Sequence, residues 1–328
     1  MRGQSRKNRP GTLPGIRVGH ASDFRGLTGC TVILCEGGAV CGADIRGSAA
    51  GTREIAPCLP GHLVDCVHAV FLTGGSAYGL DAAAGIMQYL ESRGVGFVAG
   101  RSRIPIVPGA VIFDLNLGSA RARPTSQMAR AACRRAGSTV EEGSVGAGTG
   151  ATVGKLFGIS QATKGGVGYQ RMALRSGVEV HALTVVNAFG DVVDPATGMV
   201  MAGARASRRS TQFVRTADRM FEGEFRKSFA TTNTTLAVVM TNAALNKLEA
   251  TKVAQMAQDG LARAICPAHT QFDGDLVFAL SVGGKAADLN TLGTAAAETT
   301  ARAIVSALRS AQSLGGVPSL HELESSMA

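Results

Sequence analysis

Phe229-Ala-Thr-Thr-Asn-Thr-Thr-Leu-Ala-Val-Val-Met240 is the stretch on which the reading of this chain turns. Its second half, residues 236–240, is a short apolar run of the kind that forms a strand buried on both faces. Threonines opening such a strand are ordinary β composition. A second reading attaches chemistry to the same junction. A Thr whose N-terminal peptide bond is cut carries a free α-amine beside its own hydroxyl. With a reference pKa of about 7.7–8.0, that amine is partly neutral near pH 7 and can act as general base. Such a threonine needs no histidine.

Outward from this strand, strand-like and helix-like segments alternate. Residues 31–35 and 39–45 are separated by Gly37-Gly38 and read as a hairpin. Residues 67–72 form a continuous apolar run ending at Thr73-Gly74-Gly75, and a helix follows over 77–91 with Leu80, Ala84, Met87 and Leu90 on one face. Residues 107–115 read as a strand and 127–135 as a helix. Residues 168–174 and 178–186 pair around Ser176-Gly177. A helix over 244–265 sets Leu245, Leu248, Val253, Met256, Leu261 and Ile265 on one side. Residues 276–282 are a strand, and Asn290 caps a last helix to about residue 310. Between 202 and 228 Arg and Ser rise and apolar periodicity fades, which predicts an exposed loop. Residues 1–13 predict a disordered basic tail, and 14–328 a single α/β or α+β domain.

Composition narrows the function classes. At 328 residues and 17% charged, the chain has ample length for a core and is too weakly charged for wholesale disorder. No apolar run approaches a membrane span, and the basic, polar N-terminus does not read as a secretory signal. Seven Cys without regular spacing make no disulfide framework, so a reducing cytoplasm is expected. The net charge of +9 is uneven: residues 1–233 carry an excess of +11 and 234–328 one of −2. The basic groups concentrate in the N-terminal tail and in 205–227, without interleaved aromatics, so no nucleic-acid partner is expected.

Several motifs fail their best-known readings. Gly143-Ser-Val-Gly-Ala-Gly-Thr-Gly-Ala-Thr-Val-Gly-Lys155 has Thr149 where a phosphate loop needs Gly and Leu156 where it needs Ser or Thr. It also lacks the strand and acidic residue of a dinucleotide site. Close backbone packing, or a buried Lys155 cation facing a site, remain. Leu72-Thr-Gly-Gly-Ser-Ala-Tyr-Gly-Leu-Asp81 would be a nucleophile elbow around Ser76, but Tyr78 stands where Gly is required. Tyr78 is either a donor at a site or a space-filler beside the turn. The six histidines, His20, His62, His68, His181, His269 and His321, show no metal spacing. Asp273 and Asp275 resemble a fragment of a calcium loop whose other ligands are missing; they could equally orient a catalytic group. No cofactor and no metal are expected.

Taken together, the ordered segments resemble the DmpA-type L-aminopeptidase/D-esterases, a family that includes the nylon-oligomer hydrolases. The residues carrying the resemblance are Pro14-Gly-Ile-Arg-Val-Gly-His20, Ala43-Asp-Ile-Arg-Gly-Ser-Ala-Ala-Gly-Thr-Arg-Glu54, Leu72 to Asp81 and Pro108-Gly-Ala-Val-Ile-Phe-Asp114. The set continues with Gly150 to Lys155, Val185-Val-Asn187, Asn233-Thr-Thr235 and Asp273-Gly-Asp275.

The resemblance implies an αββα sandwich and a self-processing N-terminal-nucleophile hydrolase. A precursor would cleave itself between Asn233 and Thr234 into an α chain, 1–233, and a β chain, 234–328. Thr234 would then attack small amide, peptide or ester substrates through an acyl-enzyme. Asn187 and Tyr78 match oxyanion donors, Lys155 a lysine near the nucleophile, and Asp273 with Asp275 an acidic pair that orients the new N-terminus. The family resemblance further implies a homo-oligomer, tetrameric or larger, and an aminopeptidase or amidase such as a D- or β-aminopeptidase or an oligoamide hydrolase. A related acyltransferase of the ornithine-acetyltransferase type, and an unprocessed binding or scaffold protein of the same fold, are the alternatives.

Overall fold

In the computed structural model, which describes residues 11–224 and 233–326, the chain begins with two antiparallel strands, β1 (Arg17–Asp23) and β2 (Thr28–Ile45). The Gly37-Gly38 doublet does not reverse the chain. Leu34 pairs with Ala69 and Ala39 with Val67, so residues 35–38 form a bulge that bends one 18-residue strand, with Gly38 at φ +88°. An extra unpaired segment bends a strand without ending it; the expected hairpin is one long strand. After β3 (Thr52–Arg53) comes β4 (Val67–Thr73), buried at every residue. A 3-10 turn at Ser76–Asp81 leads into α1 (Ala82–Glu91). Because the α-helix starts only at Ala82, its buried face is Ala82, Ala83, Ile86 and Leu90, and Ala84 is exposed. A small hairpin, β5 (Phe97–Ala99) with β6 (Ser102–Ile104), precedes β7 (Gly109–Val111). The strand expected over 107–115 is confined to these three residues; Pro108 has no N–H to extend the ladder. Helix α2 (Ser126–Arg135) is capped by the Thr125 hydroxyl, which accepts from Met128 N.

The middle of the chain contains the short pair β8 (Thr152–Val153) and β9 (Thr163–Lys164), then the hairpin β10 (Gly166–Ala173) and β11 (Glu179–Asn187). Strands β12 (Asp191–Val193) and β13 (Val200–Ala202) follow, then α3 (Thr216–Phe221). The exposed loop expected over 202–228 is only partly one. Ala204, Arg205 and Thr216 are buried, because the buried Asp191 carboxylate accepts from Ala204 N, Thr216 N and Thr216 Oγ1 at 2.6–2.9 Å. Residues 225–228 lie outside the described residues.

The last third holds β14 (Thr234–Ala243), α4 (Lys247–Ala264), β15 (Ile265–Cys266), β16 (Leu276–Lys285), α5 (Leu289–Ser310) and α6 (Leu320–Ser325). Asn246 and Glu249 form a reciprocal capping box that starts α4. Leu248, in its first turn, is exposed rather than on the apolar side. The cap of α5 is Asp288, which accepts from Thr291 N, and not Asn290.

The strands form a path β10-β11-β14-β16-β2-β4-β7-β3, with β1 also on β2. The C-terminal half of β2 pairs with β16 and its N-terminal half with β1 and β4, so bent β2 belongs to two sheets. Val253, Ala257 and Leu261 of α4 and Ile304 of α5 cover one outer face through Ala237, Val239 and Val277. Ile86 and Leu90 of α1 and Ala129 and Cys133 of α2 cover the other through Val32 and Phe71. Between the sheets lies a core that joins Ile33, Val70 and Leu72 to Leu183, Leu236 and Phe278. This is the expected four-layer αββα arrangement. Of the expected N-terminal tail, residues 1–10 lie outside the described residues, but Gly11 to Leu13 belong to the fold. Thr12 N donates to Ser138 O at 2.7 Å and Leu13 is buried, which anchors the chain before β1.

Replacing Asp191 by Ala strands the Ala204 and Thr216 amides in the interior. Each buried donor left without a partner costs about 1–3 kcal/mol. Urea unfolding of Asp191→Ala is expected to show that loss, and amide exchange at Ala204 and Thr216 to speed up while amides of β14 stay protected.

Candidate active site

Thr234 is the first residue of β14, and the ladder fixes its surroundings. Across the antiparallel pairing with β11 its partner is Asn187, so both side chains leave the same face of the sheet. On its other edge β14 runs parallel to β16, in register from Leu236↔Leu276. Asp273 to Asp275 lie just before β16 and are therefore delivered beside Thr234. The Asp275 carboxylate accepts from Thr235 N at 2.7 Å. Thr234 is 3% exposed, and Asn187, Lys155, Asp273 and Asp275 are buried with it.

The peptide bond ahead of Thr234 is held from both sides. Asn233 pairs with Asp273 in a parallel bridge: its N–H donates to Phe272 O, and its carbonyl oxygen accepts from Gly274 N, both at 2.8 Å. The same oxygen accepts from the Thr234 hydroxyl at 2.5 Å. An N–H aimed at a carbonyl oxygen favours negative charge developing there. Glycine at 274 is required by space, since a Cβ would stand 2.7 Å from Thr234 Oγ1.

Lys155 reaches this face from the end of the Gly-rich segment. Its own N–H donates to Phe189 O, and its Nζ donates to Asn187 O at 2.9 Å and Asn187 Oδ1 at 2.7 Å. Thr152 N also donates to Asn187 Oδ1, at 3.1 Å. These two donors fix which end of the Asn187 amide is oxygen. The amide nitrogen points the other way and donates to Phe113 O at 3.2 Å, which uses one of its two hydrogens. Burial pushes the Lys155 ammonium down to about 7, against the pull of Asp273 and Asp114. Burial, and then the charge of Asp275, push Asp273 up to about 6, although Thr270 and Phe189 N bond its carboxylate.

Five of the six expected side chains thus converge: Thr234, Asn187, Lys155, Asp273 and Asp275. Tyr78 stands apart. It is 55% exposed, with the Arg123 guanidinium 3.4 Å above its ring. It rides on the turn after β4, where Gly75 N donates to the buried Asp114 Oδ1 at 2.7 Å.

Other contributors carry little signal in the sequence alone. Asp114, quoted only as the end of a motif, is buried, accepts from Thr28 Oγ1, and is a counter-charge to Lys155 and Lys164. His269 donates from its backbone to Asp275 Oδ2 at 3.0 Å and sets Nδ1 at the same distance. The backbone N–H groups of Arg46, Gly47 and Ala49 hold the carbonyls of Asp275 and Asp273, which gives the motif from Ala43 to Glu54 its place. That motif is visible in the sequence as part of the ordered set, whereas the His269 contact depends on a loop closing back on itself. Among the described residues, no group of three or more His, Cys, Asp and Glu is arranged to hold a metal.

This chain is similar to known proteins over nearly its whole length. The model of peptidase family S58 matches residues 12–321. A protein described as an uncharacterized aminopeptidase of Mycobacterium tuberculosis is 41% identical, over 94% of this chain and 96% of its own. The 6-aminohexanoate-oligomer endohydrolase of Paenarthrobacter ureafaciens is 31% identical, over 82% of this chain and 73% of its own. The solved L-aminopeptidase D-Ala-esterase/amidase of Ochrobactrum anthropi, described as a variant of the Ntn hydrolase fold, superposes with a TM-score of 0.70 at 17% identity, covering 93% of this chain and 87% of its own. A β-aminopeptidase of Burkholderia sp. does so with a TM-score of 0.67 at 20% identity, covering 96% and 92%. By the extent of these matches the chain belongs to peptidase family S58, the DmpA-type hydrolases.

Proposed function

We propose that this hydrolase is made as a precursor that cuts itself between Asn233 and Thr234, and that the freed Thr234 then cleaves amide bonds of small substrates. The observation that carries the reading is the Asn233 carbonyl, whose oxygen is held by Gly274 N–H while the Thr234 hydroxyl lies against it. In the first step Thr234 Oγ attacks the Asn233 carbonyl carbon. The C–N bond breaks, the hydroxyl proton passes to the departing Thr234 nitrogen, and an ester links the two. Water hydrolyses that ester, leaving a carboxylate on Asn233 and an amine on Thr234.

Turnover repeats the chemistry with an external carbonyl. The α-amine of Thr234 takes the hydroxyl proton, Oγ forms the acyl-enzyme, and the proton returns to the leaving amine. The second hydrogen of the Asn187 amide is the donor for the oxyanion, and Lys155 holds that amide in orientation. A charged Lys155 also raises the cost of protonating the α-amine and so favours its basic form. Asp275, through Thr235 N, and Asp273, beside Asn233, fix the new N-terminus. Tyr78, which matches a hydroxyl donor of the family, is exposed on its turn and would have to swing toward the oxyanion to serve it.

The substrates are small amides: peptides of D- or β-amino acids, or linear oligoamides. The acidic Asp-x-Asp pair and the resemblance to a 6-aminohexanoate-oligomer hydrolase support the latter. The working unit is a homo-oligomer, tetrameric or larger, in the cytoplasm, and needs no cofactor. None of the described helices is long and apolar enough to cross a membrane.

Denaturing mass spectrometry of the wild-type protein is expected to give two chains, the second beginning Thr-Thr-Leu-Ala; Thr234→Ala is expected to stay intact and inactive. Asn187→Ala is expected to lower kcat by about a hundredfold, the typical effect of one lost oxyanion donor. The lowered Lys155 pKa also has a stability signature. Between about pH 7 and the ordinary lysine value the folded chain binds fewer protons than the unfolded one, so stability rises with pH. In a Thr234→Ala background, which keeps the chain whole, Lys155→Met is expected to reduce the rise in unfolding free energy measured from pH 7 to pH 9.

A further inference from the structure

Lys164 plays no part in the chemistry above, yet it is fully buried. Its three ammonium hydrogens meet three backbone carbonyls and no carboxylate: Gly148 O at 2.8 Å, Ala151 O at 2.7 Å and Gly165 O at 3.0 Å. The donors and acceptors match in number, and a buried cation is tolerated only when hydrogen-bonded in this way. Asp114 supplies the nearby negative charge, while burial pushes the ammonium down to about 7.

The three carbonyls come from two strands of chain that must be held together. Gly148 lies in the 3-10 turn Gly146–Gly150, Ala151 leads into β8, and Gly165 follows β9. Lys164 faces Thr152 across the β8–β9 ladder, and Gly165 N donates to Ala151 O at 2.9 Å. Thr152 is the residue whose N–H orients Asn187 Oδ1, and Lys155 is three residues farther on. A shift of the turn by even an ångström would therefore displace both.

We propose that Lys164 is a positioning residue, an internal ammonium that clamps the Gly-rich turn and so sets Asn187 and Lys155 at the nucleophile. This role rests on the self-processing hydrolase reading. The geometry makes a specific demand: what matters at this point is a small cation with hydrogens or coordination for three carbonyls. Rings of carbonyl oxygens accept a bare monovalent cation in place of its hydration shell. Removing the side chain would leave such a ring, open to ammonium.

The test follows self-cleavage of Lys164→Ala by mass spectrometry in ammonium, potassium and choline chloride at equal ionic strength. Misplacing reacting groups by an ångström costs about a hundredfold, so a loss of that order is expected in choline. Ammonium is expected to restore at least about tenfold of it and potassium less, because only ammonium supplies hydrogens. Lys164→Met, which fills the stem without the charge, is expected to fold, to be slow, and to gain nothing from ammonium. Cleavage of either variant at the wild-type rate, or equal rates of Lys164→Ala in all three salts, would overturn the proposal. Thermal unfolding of Lys164→Ala gives a readout independent of chemistry: ammonium is expected to raise its midpoint relative to choline and to leave the wild type unmoved. An unchanged midpoint counts against the clamp. A wild-type chain that never cleaves counts instead against the hydrolase reading, and the thermal measurement still decides the clamp.

Discussion

Strand β14 is hydrogen-bonded along both edges and apolar on both faces, and this confinement governs everything around the site. Its antiparallel neighbour β11 supplies Asn187, and its parallel neighbour β16 supplies, from the turn before it, Asp273 to Asp275. Neither neighbour can slip by one residue without exchanging core and outer faces. A threonine at the first position of such a strand sits on a rigid base, and Thr234 is withdrawn from solvent there.

The electrostatics follow from the same burial. Two lysines, Lys155 and Lys164, and three carboxylates, Asp114, Asp273 and Asp275, are withdrawn from water within one region. Such groups persist only when hydrogen bonds and opposite charges replace the lost hydration. Each here is satisfied differently. Lys155 bonds a side-chain amide and a carbonyl, Lys164 bonds carbonyls alone, and the carboxylates accept mostly from backbone N–H groups. The fixed dipoles of the main chain do much of the neutralising, so the charges depend on loop conformation as much as on each other.

Much of this arrangement is legible in residue order, and the exceptions have physical causes. Strands β4, β11 and β14 and helices α2 and α5 announce themselves through apolar runs, caps and periodicity, and the motif set points to Thr234, Asn187, Lys155, Asp273 and Asp275. Gly37-Gly38 misleads because a glycine pair serves a bulge as well as a turn, and only the distant pairing of Leu34 and Ala39 with β4 decides between them. The segment after residue 202 reads as exposed because its anchor, Asp191, lies outside it. Asp114 is invisible as a site residue for a related reason, since its partner Thr28 is brought to it by tertiary closure, and His269 because its contact with Asp275, six residues on, depends on the conformation of the loop between them. Tyr78, placed by resemblance, is seen on an exposed turn with its ring under the Arg123 guanidinium.

The order of the strands has one more consequence. β14 and β16, both C-terminal to residue 233, are enclosed between β11 and β2, both N-terminal to it. A chain cut at that point would be two polypeptides woven through a single sheet, neither owning a complete hydrophobic layer. Assembly would then have a direction in time: one uninterrupted strand of polypeptide builds the weave, and two separated pieces would have to find each other at a rate set by dilution. The lifetime of the mature protein would rest on how slowly it comes apart and not on any ready return.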